Sequence, residues 1–119
     1  MCPRMLLLLA PILLLAACTT PQTRPASTPP PQAGLERVMG KDARALAALF
    51  GTAALDLREG PAHKLQYRGP ACVLDAYLYP PAGGGEPRVT WIDARTPSGT
   101  DFDKASCIAA LTRVGRERR

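Results

Sequence analysis

Apolar residues are distributed along this chain in two ways: one continuous run near the start, Met5 to Ala17, and a periodic pattern from Leu35 onward. In the periodic part, the segment Lys41 to Phe50 carries Leu46, Leu49 and Phe50 at i, i+3 and i+4, with Asp42 in the first turn and Gly51 just past the end. Residues at that spacing share one side of a 3.6-residue helix, so a short amphipathic helix is predicted there. The period then drops to two. Leu55 and Leu57 alternate with Asp56 and Arg58 up to Gly60-Pro61, and Leu65 and Tyr67 alternate with Lys64, Gln66 and Arg68 up to Gly69-Pro70. Two half-buried strands follow from that alternation, each stopped by a dipeptide suited to a turn.

A longer third strand is predicted over Ala71 to Tyr79. It sends Cys72, Leu74, Ala76 and Leu78 to one side, the core set, and Val73, Asp75, Tyr77 and Tyr79 to the other. Pro80 to Pro87, with Gly83-Gly84-Gly85 inside it, reads as a loop between strands. Arg88 to Ala94 reads as a fourth strand in which Trp91 and Ile92 point opposite ways, and the alternation does not decide which is inside. The last element is a helix with a marked start: Asp103 can cap it, and Phe102 and Cys107 stand at the two positions of a hydrophobic staple. Gly115 is expected just after its last turn, and Cys107, Ile108, Leu111 and Val114 form its apolar side. The whole predicts an α+β domain: a short helix, a three- to four-stranded antiparallel meander, and a C-terminal helix packed on one face of the sheet.

The continuous run has a different meaning. It follows a single fixed charge, Arg4, and its 13 residues are too few for a bilayer span of about 20. It has the length of a signal-peptide core, so residues 1–17 are expected to be a leader. A plain secretory cleavage site wants a small side chain at the third-last position, where this chain has Leu15. Leu15-Ala16-Ala17-Cys18 instead resembles the bacterial lipobox. That resemblance implies that the Cys18 thiol carries a diacylglyceryl group and that its amine becomes the new N-terminus. Two acyl chains anchor a protein stably where one does not. In such lipoproteins an Asp directly after the Cys marks inner-membrane retention; Thr19 stands there here, which favours the periplasmic face of the outer membrane and leaves inner-membrane retention open.

From Thr19 to Gly34 the chain is Pro, Thr, Gln, Ser and Ala, with one Arg and no large apolar residue. With Cys18 this makes 18–34 a disordered tether. Its prolines favour an extended polyproline form reaching up to roughly 45 Å. The remainder, residues 35–119, is one domain of about 85 residues with room for a single small core. Cys2 leaves with the leader and Cys18 is acylated, so Cys72 and Cys107 are the two thiols left in an oxidising compartment, and they are expected to pair. Closing that loop is worth roughly 4 kcal/mol on the chain-entropy model.

Known chemistries find little support. His63 is the one histidine and follows Gly60-Pro61 closely, which reads as a solvated turn residue rather than a ligand or general base. There is no Cys-x-x-Cys, no phosphate loop around the triple glycine, and no nucleophile context for Ser98 or Ser106. No catalytic residue, metal ligand or cofactor is expected. Charge adds one further candidate. From Cys18 onward there are 14 Lys and Arg against 10 Asp and Glu, a net of +4, with Arg113, Arg116, Arg118 and Arg119 in the last seven residues. They are either a solvated tail suited to a helix C-terminus or a contact for an anionic surface, such as headgroups or an acidic partner. If Leu15-Ala16-Ala17-Cys18 is a lipobox, nucleic acid is excluded by compartment.

Val38-Met39-Gly40, then Leu46-Ala47-Ala48-Leu49-Phe50-Gly51, then Leu65-Gln66-Tyr67 resembles the BamE/SmpA-like small outer-membrane lipoproteins. Those have a Gly before the first helix, a Leu-Gly-x-Pro-like helix end and a Trp-x-Tyr strand. This chain lacks the Pro after Gly51, has Leu65 in place of Trp, shows one helix before the sheet rather than two, and adds Cys72, Cys107 and the final helix. The resemblance implies a non-enzymatic role in outer-membrane assembly and envelope integrity, exerted through protein and lipid contacts. The expected function is therefore a lipid-anchored interaction module with an envelope protein as partner. Tyr77, Tyr79, Trp91 and the four C-terminal arginines are its contact candidates. A thiol-redox factor using Cys72 and Cys107, and a small periplasmic inhibitor or ligand-binding protein, are the alternatives. A small-molecule ligand is not expected.

Overall fold

The computed structural model describes residues 34–119. The leader, Cys18 and all of the tether except Gly34 lie outside the described residues. A single 3-10 turn, Leu35–Arg37, delivers Val38 into the core with no exposed surface. The chain then runs beside the last strand, Gly40 N–H donating to Val89 and Val89 N–H to Lys41, both at 2.9 Å. The first helix, α1, spans Ala43–Phe50. It starts two residues later than the apolar spacing suggested because Asp42 is its cap and not its first turn: the carboxylate accepts the Ala45 N–H at 2.9 Å. Leu46 and Phe50 are its buried residues, and Gly51, at φ 82°, turns the chain out of the helix.

Four strands follow: β1 Leu55–Glu59, β2 Ala62–Arg68, β3 Val73–Tyr79 and β4 Arg88–Arg95. They form one antiparallel sheet in the order β1-β2-β3-β4, each strand pairing with its neighbour in sequence. Gly60-Pro61 makes the two-residue link between β1 and β2, and the positive φ of Gly60, 56°, suits its first position. On the side that meets the helices lie Leu65 and Tyr67 of β2, Leu74, Ala76 and Leu78 of β3, and Val89, Ile92 and Ala94 of β4, all buried. The choice between Trp91 and Ile92 is thus settled: Ile92 is inside at 2 % exposure, and Trp91 is outside at 59 %. A bulge at Tyr77/Leu78 makes this possible. Trp91 pairs with Tyr77 but Val89 with Leu78, so Thr90 is passed over and both Val89 and Ile92 turn inward.

The reading of β1 as half-buried does not hold. All five of its residues are exposed. It is an edge strand, and its register with β2 puts Leu55 and Leu57 on the outer side of the sheet, where no described helix packs, while Asp56 and Arg58 take the inner side. Alternation showed that β1 was a strand; it could not show that its apolar side faced away from the helices.

The second helix, α2, spans Lys104–Glu117, and Asp103 caps it as expected, accepting the Ser106 N–H at 2.8 Å and the Ser106 hydroxyl at 2.7 Å. Those hydrogen bonds hold the Asp103 carboxyl below its usual pKa. Cys107, Ile108 and Leu111 are buried against the sheet and Val114 partly so. Gly115 is not the residue after the helix. It lies inside the last turns of α2, buried, where a Cβ would fall on the Leu49 carbonyl oxygen and 3.2 Å from the Phe50 Cα. A glycine is needed because α2 crosses the end of α1 backbone to backbone. Cys72, just before β3, and Cys107 are joined in a disulfide, Cα to Cα 5.8 Å, with neither residue exposed. The bond ties the sheet to the helix packed on it.

Candidate functional site

The outer side of the sheet is the surface that stands apart. Its cross-strand pairs form rows, the first being Leu57, Lys64, Tyr77 and Trp91, one residue from each strand in register. The next row is Leu55, Gln66, Asp75 and Asp93, and the one beyond brings Arg68, Val73 and Arg95 together. Tyr79 stands two residues along β3 from Tyr77, opposite Arg88. The large hydrophobic residues that remain exposed, Leu55, Leu57, Tyr79 and Trp91, all belong to this one side. Single exposed apolar residues are ordinary, but several on one uncovered face make it the candidate contact surface. Leu57, Tyr77 and Tyr79, with Glu59, Ala62 and Lys64, line a shallow recess of about 150 Å³. Cations sit over two of the rings: the Lys64 ammonium is 5.4 Å from the Tyr77 centroid and that of Lys104, at the start of α2, 4.7 Å from the Trp91 centroid.

At the centre of this face is a group the alternation placed on the solvent side. Asp75 is only 2 % exposed, although no described element covers it. Its neighbours' side chains do so. One carboxylate oxygen accepts from Gln66 Nε2 at 2.8 Å; the other accepts from Arg95 Nη1 and has Lys64 Nζ at 3.8 Å. Gln66 Oε1 in turn accepts from Arg68 Nε at 2.7 Å. The hydrogen bond to Asp75, reinforced by the Asp75 and Asp93 charges, raises the Arg95 pKa above its ordinary value. A buried carboxylate is tolerated only when its oxygens are paired in this way. The arrangement ties Gln66, Arg68 and Arg95 into one network with Asp75 and leaves the apolar residues on either side of it uncovered. It holds no free nucleophile and no cluster for a metal; among the described residues no group of three or more His, Cys, Asp or Glu is so placed.

His63 does not occupy a solvated turn. It is in β2, 4 % exposed, on the helix side of the sheet, and its Nε2 is 2.7 Å from Asp56 Oδ1 across the β1-β2 pair. The expectation failed because Gly60-Pro61 is a two-residue turn, so β2 begins at Ala62 and His63 is already within the sheet. Nearby, burial raises the Tyr67 pKa to about 12, with the negative Asp56 as a second cause.

The contact candidates separate into two groups. Tyr77, Tyr79 and Trp91 share the open sheet face. The C-terminal arginines lie in the helix layer on the opposite side. Arg116 and Arg119, with Glu36, Arg37 and Lys41, line a wide groove of about 660 Å³ between the 3-10 turn, α1 and α2. Arg119 is engaged: its guanidinium donates to the Ala48 carbonyl at the end of α1, and its Nε to that of Gly115 at 3.3 Å. It satisfies carbonyls at the ends of both helices; the contact with α1 depends on how the helices cross, which the sequence does not show. Arg113 borders a smaller recess of about 210 Å³ between α2 and the Gly69 to Cys72 turn. Cys72 and Cys107 are both at 0 % exposure, so neither sulfur is presented to an attacking thiolate. No described helix is long and apolar enough to cross a membrane. No family model, curated protein or solved structure matches the chain.

Proposed function

We propose that this protein is a lipid-anchored envelope lipoprotein whose domain acts, without catalysis, as a docking module, presenting the open sheet face to an envelope protein partner. Acylation at Cys18 and the Pro-rich tether would hold the domain on the periplasmic side of the outer membrane, and the resemblance to BamE/SmpA-like lipoproteins suggests outer-membrane assembly or envelope integrity as the process. The observation that carries the reading is the gathering of Leu55, Leu57, Tyr79 and Trp91 on one uncovered face. The polar network around Asp75 supports it, because a rigid patch loses less entropy on binding than a mobile one. Aromatic residues are also the side chains that most often dominate binding energy at protein interfaces.

The test is photocrosslinking in the intact envelope, with a photoreactive phenylalanine analogue replacing Trp91 or Tyr79 and, as comparison, Arg44 on the helix layer. Specific adducts to an outer-membrane component from the first two positions and not from Arg44 are expected. Equal labelling from all three, or none from the sheet face, rejects the docking role. The anchor has its own check: C18A is expected to stay uncleaved or to leave the membrane fraction, and unchanged fractionation and migration would remove it.

A further inference from the structure

The two edges of the sheet are treated differently. On the β4 edge, residues 40–42 pair alongside Arg88 and Val89, and residues 101–102 pair alongside Ala94 and Arg95. These two segments block both ends of that edge. On the β1 edge no such bridge exists among the described residues, and all five residues of the strand are exposed. An exposed edge carries unpaired backbone donors and acceptors that another strand can take up. Charges of one sign would repel such a strand. β1 has both signs, in an order that matters: Leu55, Asp56, Leu57, Arg58, Glu59.

We infer that β1 is a self-recognition edge, pairing antiparallel with β1 of a second copy about a two-fold axis through Leu57. Only this register sets Asp56 of each copy, whose side chain stays 59 % exposed beside His63, against Arg58 of the other, two opposite-charge pairs on the helix side, with Leu57 against Leu57 on the outer side. Antiparallel pairing of a strand with itself is isologous, so one favourable contact occurs twice. Opposite charges directly across a strand pair are favourable, like charges unfavourable. The resulting eight-stranded sheet would join two open faces into one surface and place the Leu57 side chains at its seam. A five-residue edge is short of the 1,200 Å² or so that marks a stable complex. The pairing is therefore weak in dilute solution and strengthened wherever copies are confined together, as on a membrane. The inference stands on the exposure, sequence and pairing of β1 and does not require the anchor or an envelope partner.

Position 57 gives a direct readout. On the proposed axis the two Cα atoms are about 4.5–5.5 Å apart, within disulfide range. The purified full chain carrying L57C is oxidised with copper-phenanthroline beside the wild-type chain and a chain carrying E86C in the β3-β4 loop. Covalent dimer from L57C is expected severalfold faster than from E86C, with the wild-type rate as background. Two further chains, L57C/R58D and L57C/D56R, test the register. Each alone sets like charges across the axis and slows crosslinking, whereas their mixture restores both opposite-charge pairs and is expected to yield hetero-dimer faster than either alone. Circular dichroism confirms that each chain is folded. An L57C rate no higher than that of E86C overturns the pairing, whatever occupies the edge instead. A mixture no faster than its separate components overturns the register and the charge argument with it.

Discussion

Gly115 and Tyr67 show how much single positions decide here. Alanine is the better helix former by about 1 kcal/mol, so a glycine inside α2 is retained for another reason. That reason is the Leu49 carbonyl and Phe50 backbone lying where a Cβ would be. Backbone cannot rotate away as a flexible side chain can. G115A is therefore expected to lose roughly 1–3 kcal/mol net despite its better propensity, the usual cost of overpacking, and urea denaturation would show the lower midpoint. Tyr67 gives a pH dependence. Its pKa is about 12 in the fold against an ordinary 10.0, because burial, and then Asp56, disfavour the phenolate. The folded state thus holds the phenolic proton longer than the unfolded chain does. The stabilisation is complete below pH 10 and declines as pH rises toward 12. Stability measured between those values is expected to fall for the wild type and to fall less steeply for Y67F. A slope unchanged by Y67F would assign the loss to other groups.

At the scale of elements, the fold follows directly from the spacing of apolar residues, the turn dipeptides and the two Asp caps. Cys72 on the core side of the third strand and Cys107 on the apolar side of the last helix were already placed to meet if helix packed on sheet. The double variant C72S/C107S removes that link, and thermal unfolding is expected to report a loss of roughly 4 kcal/mol, a large part of the 5–15 kcal/mol typical of a domain. Three features were not legible, each for a physical reason. A period of two gives the sides of a strand but not which side meets the helices, so the alternation of Leu55 and Leu57 with Asp56 and Arg58 reads as half-buried when the strand is exposed throughout. The bulge at Thr90 changes the count along β4. Most of all, the Asp75 network depends on register. Only when the connection Gly69 to Cys72 is known to be four residues long do Gln66 with Asp75, and Arg68 with Val73, become cross-strand partners. A lone acid between Val73 and Tyr77 in an otherwise apolar strand was the one signal in the sequence that a buried charge needed partners.

The molecule as a whole is electrically two-sided. The helix layer with its flanking segments, residues 34–44 and 103–119, holds eight Lys and Arg against four Asp and Glu; residues 54–101, which contain the sheet, hold five against six. Gly34, where the tether would join, borders the same groove wall as Arg37 and the first half of α2. The side on which Gly34 lies is thus the positive one, and the open sheet face is turned away from it. This polarity predicts that the full chain associates more strongly with vesicles containing phosphatidylglycerol than with phosphatidylcholine alone. The difference is expected to shrink as salt rises from 0.05 to 0.5 M, roughly, as screening requires. It should also fall on charge reversal at Arg113 and Arg116 and stay unchanged on reversal at Arg58. Equal binding to both vesicles would leave the arginines with a structural role only.

The neighbour-to-neighbour order of the strands also bears on how the domain comes to be folded at all. On the proposed route the chain would be threaded through a membrane extended and would find its structure afterwards. Each strand here meets its partner across a short connection, so contact order is low for a sheet protein and little loop entropy is spent before pairing is rewarded. The meander can form as three successive hairpins, leaving the helices and the 40–42 segment, whose partners are distant in sequence, to dock afterwards. Because both sulfurs end fully enclosed, the oxidant must reach them before that docking is complete. Closing the helix over the sheet and sealing the thiols from further exchange are then a single event.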